Sequence, residues 1–141
     1  MPVDSIHHLL LLAFSRSNRA MLARTRAVGL KPGQPKVLEH LLHHDGCNQQ
    51  AIADACVMDK STAASVLSRM EEGGLIERAP TPGDRRGTRV EMTALGREAA
   101  LCVRAFGDQV DEICLQGMSN EEARQLTALL GRVIDNLKDA E

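Results

Sequence analysis

Residues 48–78 have the sequence NQQAIADACVMDKSTAASVLSRMEEGGLIER and predict two short amphipathic helices with a break between them. The side chain of Asn48 can cap the first helix, and the helical pattern is interrupted at Val57-Met58-Asp59. The second helix then continues to about Glu72, where two consecutive glycines end it. This arrangement predicts a helix-turn-helix over residues 48–72.

Both helices have one apolar face. The residues expected to point inward are Ile52, Ala53 and Cys56 in the first helix and Ala63, Val66, Leu67 and Met70 in the second. The opposite face of the second helix is polar and short, whereas a plain surface helix is usually richer in Glu and Lys. Such a face can enter a DNA major groove about 12 Å wide and donate to phosphates and bases. We therefore expect a recognition helix, although a solvated surface helix has the same periodicity.

A β-hairpin is predicted directly after the helix pair, over residues 75–92. Apolar and polar residues alternate in residues 88–92, and a turn-forming segment begins at Pro80. The loop includes Gly83-Asp84-Arg85-Arg86-Gly87, which is more charged than a tight turn selected for stability. An arginine at its tip suits the narrow, electronegative minor groove of DNA. The hairpin is interpreted as the wing of a winged helix-turn-helix, and an exposed loop with a local Asp–Arg pair is the alternative.

Further helices are predicted on both sides of this unit. The first begins after a cap at Asp4 or Ser5, and the second begins between Pro32 and Pro35. After the wing, Thr93 can cap a long helix, and Ser119 with Glu122 forms a capping box for the last one. The apolar positions of the long helix recur at three-and-four spacing: Leu95, Ala99, Cys102, Phe106, Val110 and Ile113.

The net charge of −2 conceals basic regions that suit a nucleic acid. Residues 78–89 hold four arginines against one aspartate, and residues 1–27 likewise hold four arginines against one, which is +3 in each case. Residues 108–141 hold eight acidic against three basic residues, which is −5. Local charge governs attraction to phosphate within a Debye length of about 8 Å. Single-stranded nucleic acid is disfavoured because stacking needs aromatic side chains, and the chain has only Phe14 and Phe106.

Several other classes of protein lack support. No run of about 18 uncharged apolar residues exists that would span a membrane. The apolar run from Leu9 to Phe14 lacks the flanks of a secretory signal, so a cytoplasmic protein is expected. A glycine-rich phosphate loop, a GxSxG motif and an HExxH motif are all absent from the sequence. We therefore expect neither an enzyme nor a bound cofactor.

The sequence resembles the MarR family of bacterial transcription regulators from Gly29 to Gly96. The resemblance is carried by GLKPGQPKVLEHL from residue 29, the helix pair quoted above, DRR from residue 84 and MTALGREA from residue 92. It implies a homodimer whose first and last two helices form the interface and hold two winged helices on an inverted-repeat operator. It also implies a small effector molecule bound between the dimer helices and the winged domain. We therefore expect a ligand-responsive repressor of transcription.

The fold expected from the pattern and the resemblance together is mainly α with a small β-hairpin wing. One domain, residues 1–141, contains a winged helix-turn-helix at residues 31–96. Dimerisation helices at residues 1–29 and 97–141 flank it.

The same resemblance implies which residues contact double-stranded DNA. Asn48 and Gln49 match the start of the supporting helix, whose N–H groups meet a phosphate. The remaining positions in the recognition helix and wing are Lys60, Ser61, Thr62, Ala64, Ser65, Arg69, Asp84, Arg85 and Arg86. Arg86 is the expected minor-groove residue, with Asp84 as its partner. Ala64 and Ser65 stand where larger polar or basic residues are common, which predicts modest affinity or discrimination through DNA shape.

Two alternatives concern metal binding and protein binding. His40 and His44 are four residues apart on one helix, a spacing that binds zinc, although two ligands do not make a site. A helical protein-binding dimer without DNA contact is the other alternative. It predicts that charge reversal at Arg85 and Arg86 leaves the function intact.

A third alternative is thiol-redox sensing. Cys47 is the candidate, because it is expected to be exposed beside the helix start at Asn48, which would lower its pKa. Cys56, Cys102 and Cys114 lie on apolar faces and are expected to pack in the core.

Overall fold

Six helices and three short strands make up the described part of the chain, residues 5–83 and 87–140 of a computed structural model. In chain order they are α1 (Ile6–Ala27), α2 (Gln34–His44), β1 (Cys47–Asn48), α3 (Gln49–Ala55), α4 (Lys60–Glu72), β2 (Ile76–Pro80), β3 (Thr88–Met92), α5 (Ala94–Cys114) and α6 (Asn120–Leu137). The expected mainly α fold with a β wing is confirmed. Within these residues no helix has both the length and the apolar character needed to cross a bilayer.

Side-chain caps set where most of the helices begin. The capping residues of α1, α3, α4, α5 and α6 are Ser5, Asn48, Asp59, Thr93 and Ser119. Each accepts a hydrogen bond from the backbone N–H three residues later, which satisfies a donor that the helix itself leaves unpaired. At Ser119 the side chain of Glu122 bonds back to the cap, so the predicted capping box is confirmed.

The turn between α3 and α4 contains a strained residue. Val57 has φ 56° and is 91% exposed. A β-branched side chain in the left-handed region is a backbone outlier, since Cβ then crowds the following carbonyl. The turn forms nevertheless because its neighbours are anchored: the Met58 N–H donates to the Ala53 carbonyl at 2.9 Å, and Cys56 is buried.

Replacing this residue, Val57→Gly, should stabilise the protein by about 0.5–1 kcal/mol. Two effects oppose each other here. Removing Cβ releases the strain of the left-handed conformation, which stabilises the folded state, whereas the greater conformational freedom of glycine stabilises the unfolded chain by a smaller amount. Thermal and urea unfolding measure it. The control is Val28→Gly, because Val28 is also exposed but has φ −104°, so glycine should destabilise there. Equal losses at both sites would contradict the assignment of strain.

The hydrophobic core lies where α2, α3, α4 and α5 meet the sheet. Its buried residues are Leu30, Val37, Leu38, Leu41, Ile52, Cys56, Leu67, Met70, Ile76, Val90, Ala100 and Val103. The predicted inner faces of α3 and α4 are confirmed, except that Val66 is only half-buried. The core therefore holds the helix-turn-helix, the wing and the start of α5 as one unit.

The sheet is antiparallel with strand order β1-β3-β2. β1 has two residues, Cys47 and Asn48, and was not predicted because two residues carry no periodicity. β2 continues through Pro80, where the sequence predicted the turn to begin. A proline is tolerated at the end of an edge strand, since an outward-facing position needs no N–H. β1 joins the cap of α3 directly to the wing.

α5 has apolar residues on more than one face, and only part of the predicted stripe packs on its own chain: Val110 is buried, and Ala99 and Phe106 are half-buried. Gly96, Ala100, Val103 and Val110 are buried. Leu95 and Ile113, which belong to the predicted stripe, are 54% and 49% exposed. The expectation that Cys102 and Cys114 pack in the core is wrong, because both are exposed. Three-and-four spacing identifies an apolar stripe but not which surface covers it.

α1 and α6 also expose apolar side chains. α6 buries none of its residues, and Leu129, Leu130, Ile134 and Leu137 are 54%, 42%, 68% and 53% exposed. On α1, Ile6, Leu9, Leu11 and Phe14 are 60%, 42%, 57% and 61% exposed. We call the exposed apolar residues of α1, α5 and α6 the outer apolar surface.

Candidate nucleic-acid interface

α4 has the two faces expected of a recognition helix. Ala63, Leu67 and Met70 are buried against the core. The opposite face is solvent-exposed at Lys60, Ser61, Thr62, Ser65 and Arg69, and Ala64 is half-buried at its margin. The six predicted α4 positions therefore lie together on one surface of the helix. Its side chains are either short or cationic, and their hydroxyl, ammonium and guanidinium groups can donate hydrogen bonds.

Asp59 occupies the N-terminal end of α4. The Thr62 N–H donates to Asp59 Oδ1 at 2.6 Å, and the backbone and side-chain hydrogen bonds from Thr62 lower the pKa of the Asp59 carboxyl. The carboxylate therefore stays ionised at neutral pH and opposes the positive end of the helix dipole. A phosphate approaching α4 must be met by its side chains rather than by this helix end.

The start of α3 lies against the wing. Asn48 is exposed, its Oδ1 accepts from the Ala51 N–H at 2.8 Å, and its backbone pairs with Arg89 of β3. Gln49 is half-buried beside it. The sheet therefore fixes where these two predicted contact residues stand relative to β3.

Arg78 of β2 joins these elements, and its role was not predicted from the sequence. Its NH1 donates to Gln49 Oε1 at 3.3 Å and its NH2 to Ser68 Oγ at 2.9 Å. Its Nε lies 3.5 Å from Glu71 Oε1. The sequence analysis used Arg78 only in the net charge of residues 78–89. No sequence pattern indicated that its side chain would contact three residues on two helices.

The tip of the wing lies outside the described residues, so the assignments of Asp84, Arg85 and Arg86 stay predictions. The base of the loop is described. The Thr81 N–H donates to the Gly87 carbonyl at 2.9 Å, and Arg89 Nε lies 3.1 Å from Glu91 Oε1. The hydrogen bond between Thr81 and Gly87 extends the pairing of β2 and β3 by one step beyond Pro80 and Thr88.

Cys47 is not the exposed, acidic thiol that the sequence suggested. It is half-buried, and burial raises the pKa of its thiol, as does the charge of Asp45. The reason lies in the local structure: Cys47 is in β1, paired with Val90, and the helix start next to it is capped by Asn48. Burial likewise raises the pKa of the Cys56 thiol.

The histidines of α2 stack on each other. The ring centroids of His40 and His44 are 4.7 Å apart, and burial, then His44 and His43, lowers the pKa of His40. Across residues 5–83 and 87–140, no three His, Cys, Asp or Glu side chains group as ligands of one metal ion.

A cavity of about 240 Å³ lies between α1 and α2. Met21 and Leu22 supply apolar walls, and Lys36 and Glu39 supply opposite charges. The hydroxyl of Thr25, also in the lining, is buried and has no hydrogen-bond partner. Burial, then Asp111, raises the pKa of Glu39, while His43 lowers it and Asp108 raises it further. The cavity can hold a small molecule with an apolar body and one polar group.

Comparison with protein sequences gives two findings. The family model described as MarR family matches residues 28–87. The chain is also similar to the transcriptional regulator HosA of Escherichia coli O111:H-, with 33% identity over 102 residues, which are 72% of this chain and 76% of HosA.

Comparison with solved structures gives the same fold. A mutant of E. coli MarR complexed with operator DNA has a TM-score of 0.81 and 21% identity, over 91% of this chain and 92% of that one. A structure on the regulation of DNA binding of Bordetella bronchiseptica BpsR by 6-hydroxynicotinic acid has a TM-score of 0.83 and 24% identity, over 96% and 99%. At these identities the likeness establishes the winged-helix fold alone.

Proposed function

Since this chain belongs to the MarR family of transcription regulators, we propose that it is a homodimeric repressor that binds an inverted-repeat operator and responds to a small ligand. It acts in the cytoplasm, on double-stranded DNA, and not as an enzyme. The observation that carries the DNA-binding part is the exposed face of α4, where every predicted contact side chain is small or cationic. Such a face approaches base edges closely, and Lys60 and Arg69 add charge for phosphates.

The homodimer is supported by the outer apolar surface. α6 is an 18-residue amphipathic helix that buries no residue on its own chain. An exposed apolar surface of this kind is typical of an interface between subunits. A second copy of the chain covers it by two-fold symmetry, which matches the symmetry of an inverted repeat.

The ligand response is supported by the α1–α2 cavity. α1 belongs to the proposed dimer interface and α2 to the winged unit, so a molecule between them contacts both. Lys36 and Glu39 in the lining offer charged groups to a polar part of that molecule. The fold relative BpsR, whose DNA binding is regulated by 6-hydroxynicotinic acid, supports this part by analogy. A ligand that favours one spacing of the two α4 helices shifts DNA affinity by its differential binding.

Selection of bound fragments from random duplex DNA tests the proposal. We expect an inverted repeat with half-sites about 34–36 Å apart, which is one helical turn. Affinity for the enriched duplex should fall steeply with salt, with a slope of several phosphates per dimer. No enrichment, or affinity insensitive to salt, would overturn the DNA-binding part. Function that survives charge reversal at Arg85 and Arg86 would favour the protein-binding alternative.

A negative charge on the exposed face of α4 should weaken DNA binding. Ser65→Glu should reduce affinity for the enriched duplex by about tenfold or more, because a carboxylate then faces phosphates or base acceptors. Fluorescence anisotropy measures the change. Gln116→Glu adds the same charge at an exposed position between α5 and α6 and should leave affinity near that of the wild type. If the two substitutions reduce affinity equally, the exposed face of α4 is not part of the DNA interface.

A further inference from the structure

Arg78 lies at the junction of three elements of the winged helix-turn-helix. From β2 its guanidinium reaches Gln49 at the start of α3 and both Ser68 and Glu71 of α4. A guanidinium is planar and presents its donors in a fixed fork, so three partners in place define one relative arrangement of the elements that carry them.

The environment of Arg78 separates it from an ordinary surface ion pair. Its side chain is 23% exposed, whereas in the Arg124–Glu121 pair of α6 the side chains are 72% and 64% exposed. An exposed ion pair does not fix the positions of its two side chains, because water competes for both partners. Around Arg78 competition by water is reduced, and two of its partners are neutral groups that accept hydrogen bonds without cancelling the charge.

Arg78 also determines which end of the Gln49 amide is available. A guanidinium has donors only, so Gln49 must present its oxygen to Arg78, and its NH2 group becomes the free end. DNA phosphates accept hydrogen bonds and do not donate them. The bond from Arg78 therefore leaves Gln49 with the group that a phosphate can use.

We propose that Arg78 is a positioning residue for DNA binding. It fixes α4 relative to α3 and the wing, and it orients the Gln49 amide so that NH2 is offered to phosphate. This inference rests on the proposed function. It implies that discrimination between DNA sequences depends on Arg78, while the number of phosphates neutralised does not.

The test compares Arg78→Met and Arg78→Lys with the wild-type dimer. The probes are the duplex that the wild type enriches from random DNA and a scrambled duplex of equal length and composition. For both variants we expect about a tenfold or greater loss of affinity for the enriched duplex, since small misplacement of a site weakens it strongly. Affinity for the scrambled duplex should fall by much less, because only the hydrogen bond from Gln49 to phosphate is lost there, and the salt slope for the enriched duplex should stay unchanged.

Each rival explanation gives a different result. If Arg78 itself contacts phosphate, Arg78→Met lowers affinity for both duplexes and reduces the salt slope by about one per lost contact, while Arg78→Lys largely restores binding. If Arg78 only stabilises the fold, a variant of similar melting temperature such as Val110→Ala, buried in α5, loses the same specific affinity. Either result, or wild-type affinity in both Arg78 variants, overturns the inference. A wild type that enriches no duplex overturns the proposed function itself.

Discussion

Ile134→Glu should convert the protein from a dimer to a monomer at micromolar concentration. Ile134 is 68% exposed on α6, a helix that buries nothing on its own chain, so the single chain tolerates the change. In a two-fold dimer the substitution occurs twice, and each carboxylate would have to be buried or neutralised at a cost of several kcal/mol. We expect a rise of about 100-fold or more in the dimer dissociation constant, together with loss of high-affinity operator binding.

Light scattering coupled to gel filtration measures the mass, and circular dichroism checks that the helices persist. The matched control is Ala128→Glu, which adds the same charge to the same helix on the side opposite the apolar stripe. It should leave the protein dimeric. If the Ile134→Glu variant stays dimeric with an unchanged dimer dissociation constant, this part of the outer apolar surface does not belong to the interface.

Gly96→Ala should destabilise the protein by about 3 kcal/mol or more. A Cβ at Gly96 would lie 1.9 Å from the Leu75 carbonyl oxygen and 2.9 Å from the Leu75 carbonyl carbon. These are backbone atoms, so no side chain can rotate away. The same oxygen accepts from the Thr93 N–H at 3.1 Å, and moving it would break the start of α5.

Urea unfolding at fixed protein concentration measures this effect. Gly107→Ala in the same helix is the control, because its Cβ would meet only Glu39 Oε1 at 3.6 Å, an ordinary contact. There alanine should stabilise by up to about 1 kcal/mol through helix propensity. If both variants unfold at the same urea concentration, the close approach of α5 to Leu75 is not a constraint on the fold.

Most helix boundaries were predictable because they depend on local chemistry. Ser5, Asn48, Thr93 and Ser119 cap helices in the structure as their side chains suggested. These bonds span three residues and need no knowledge of the rest of the chain. The helix-turn-helix and hairpin followed for the same reason, since their periodicity is contained in short windows.

The features that were missed depend on contacts between distant segments. The two-residue β1 exists only because Val90 pairs with Cys47, and that pairing also buries the thiol expected to be exposed. Cys102 was assigned to the core because one apolar stripe on α5 was visible where the helix has apolar residues on more than one face. The partners of Arg78 include Gln49, 29 residues away, a separation that no local pattern can reveal.

The hydrogen bonds of Thr93 connect α5 to the winged helix-turn-helix, so a small motion of α5 would also move the elements proposed to contact DNA. The Thr93 hydroxyl donates to the Gly74 carbonyl at 2.6 Å and its N–H to Leu75, so α5 is bonded to the segment that links recognition helix and wing. α5 has 21 residues and is therefore about 31 Å long. A rigid rod of that length converts a tilt of roughly 6° into a displacement of about 3 Å, close to the rise of one base pair. In the proposed dimer, release from an operator would thus require only a slight change of angle between the two subunits, with every helix intact.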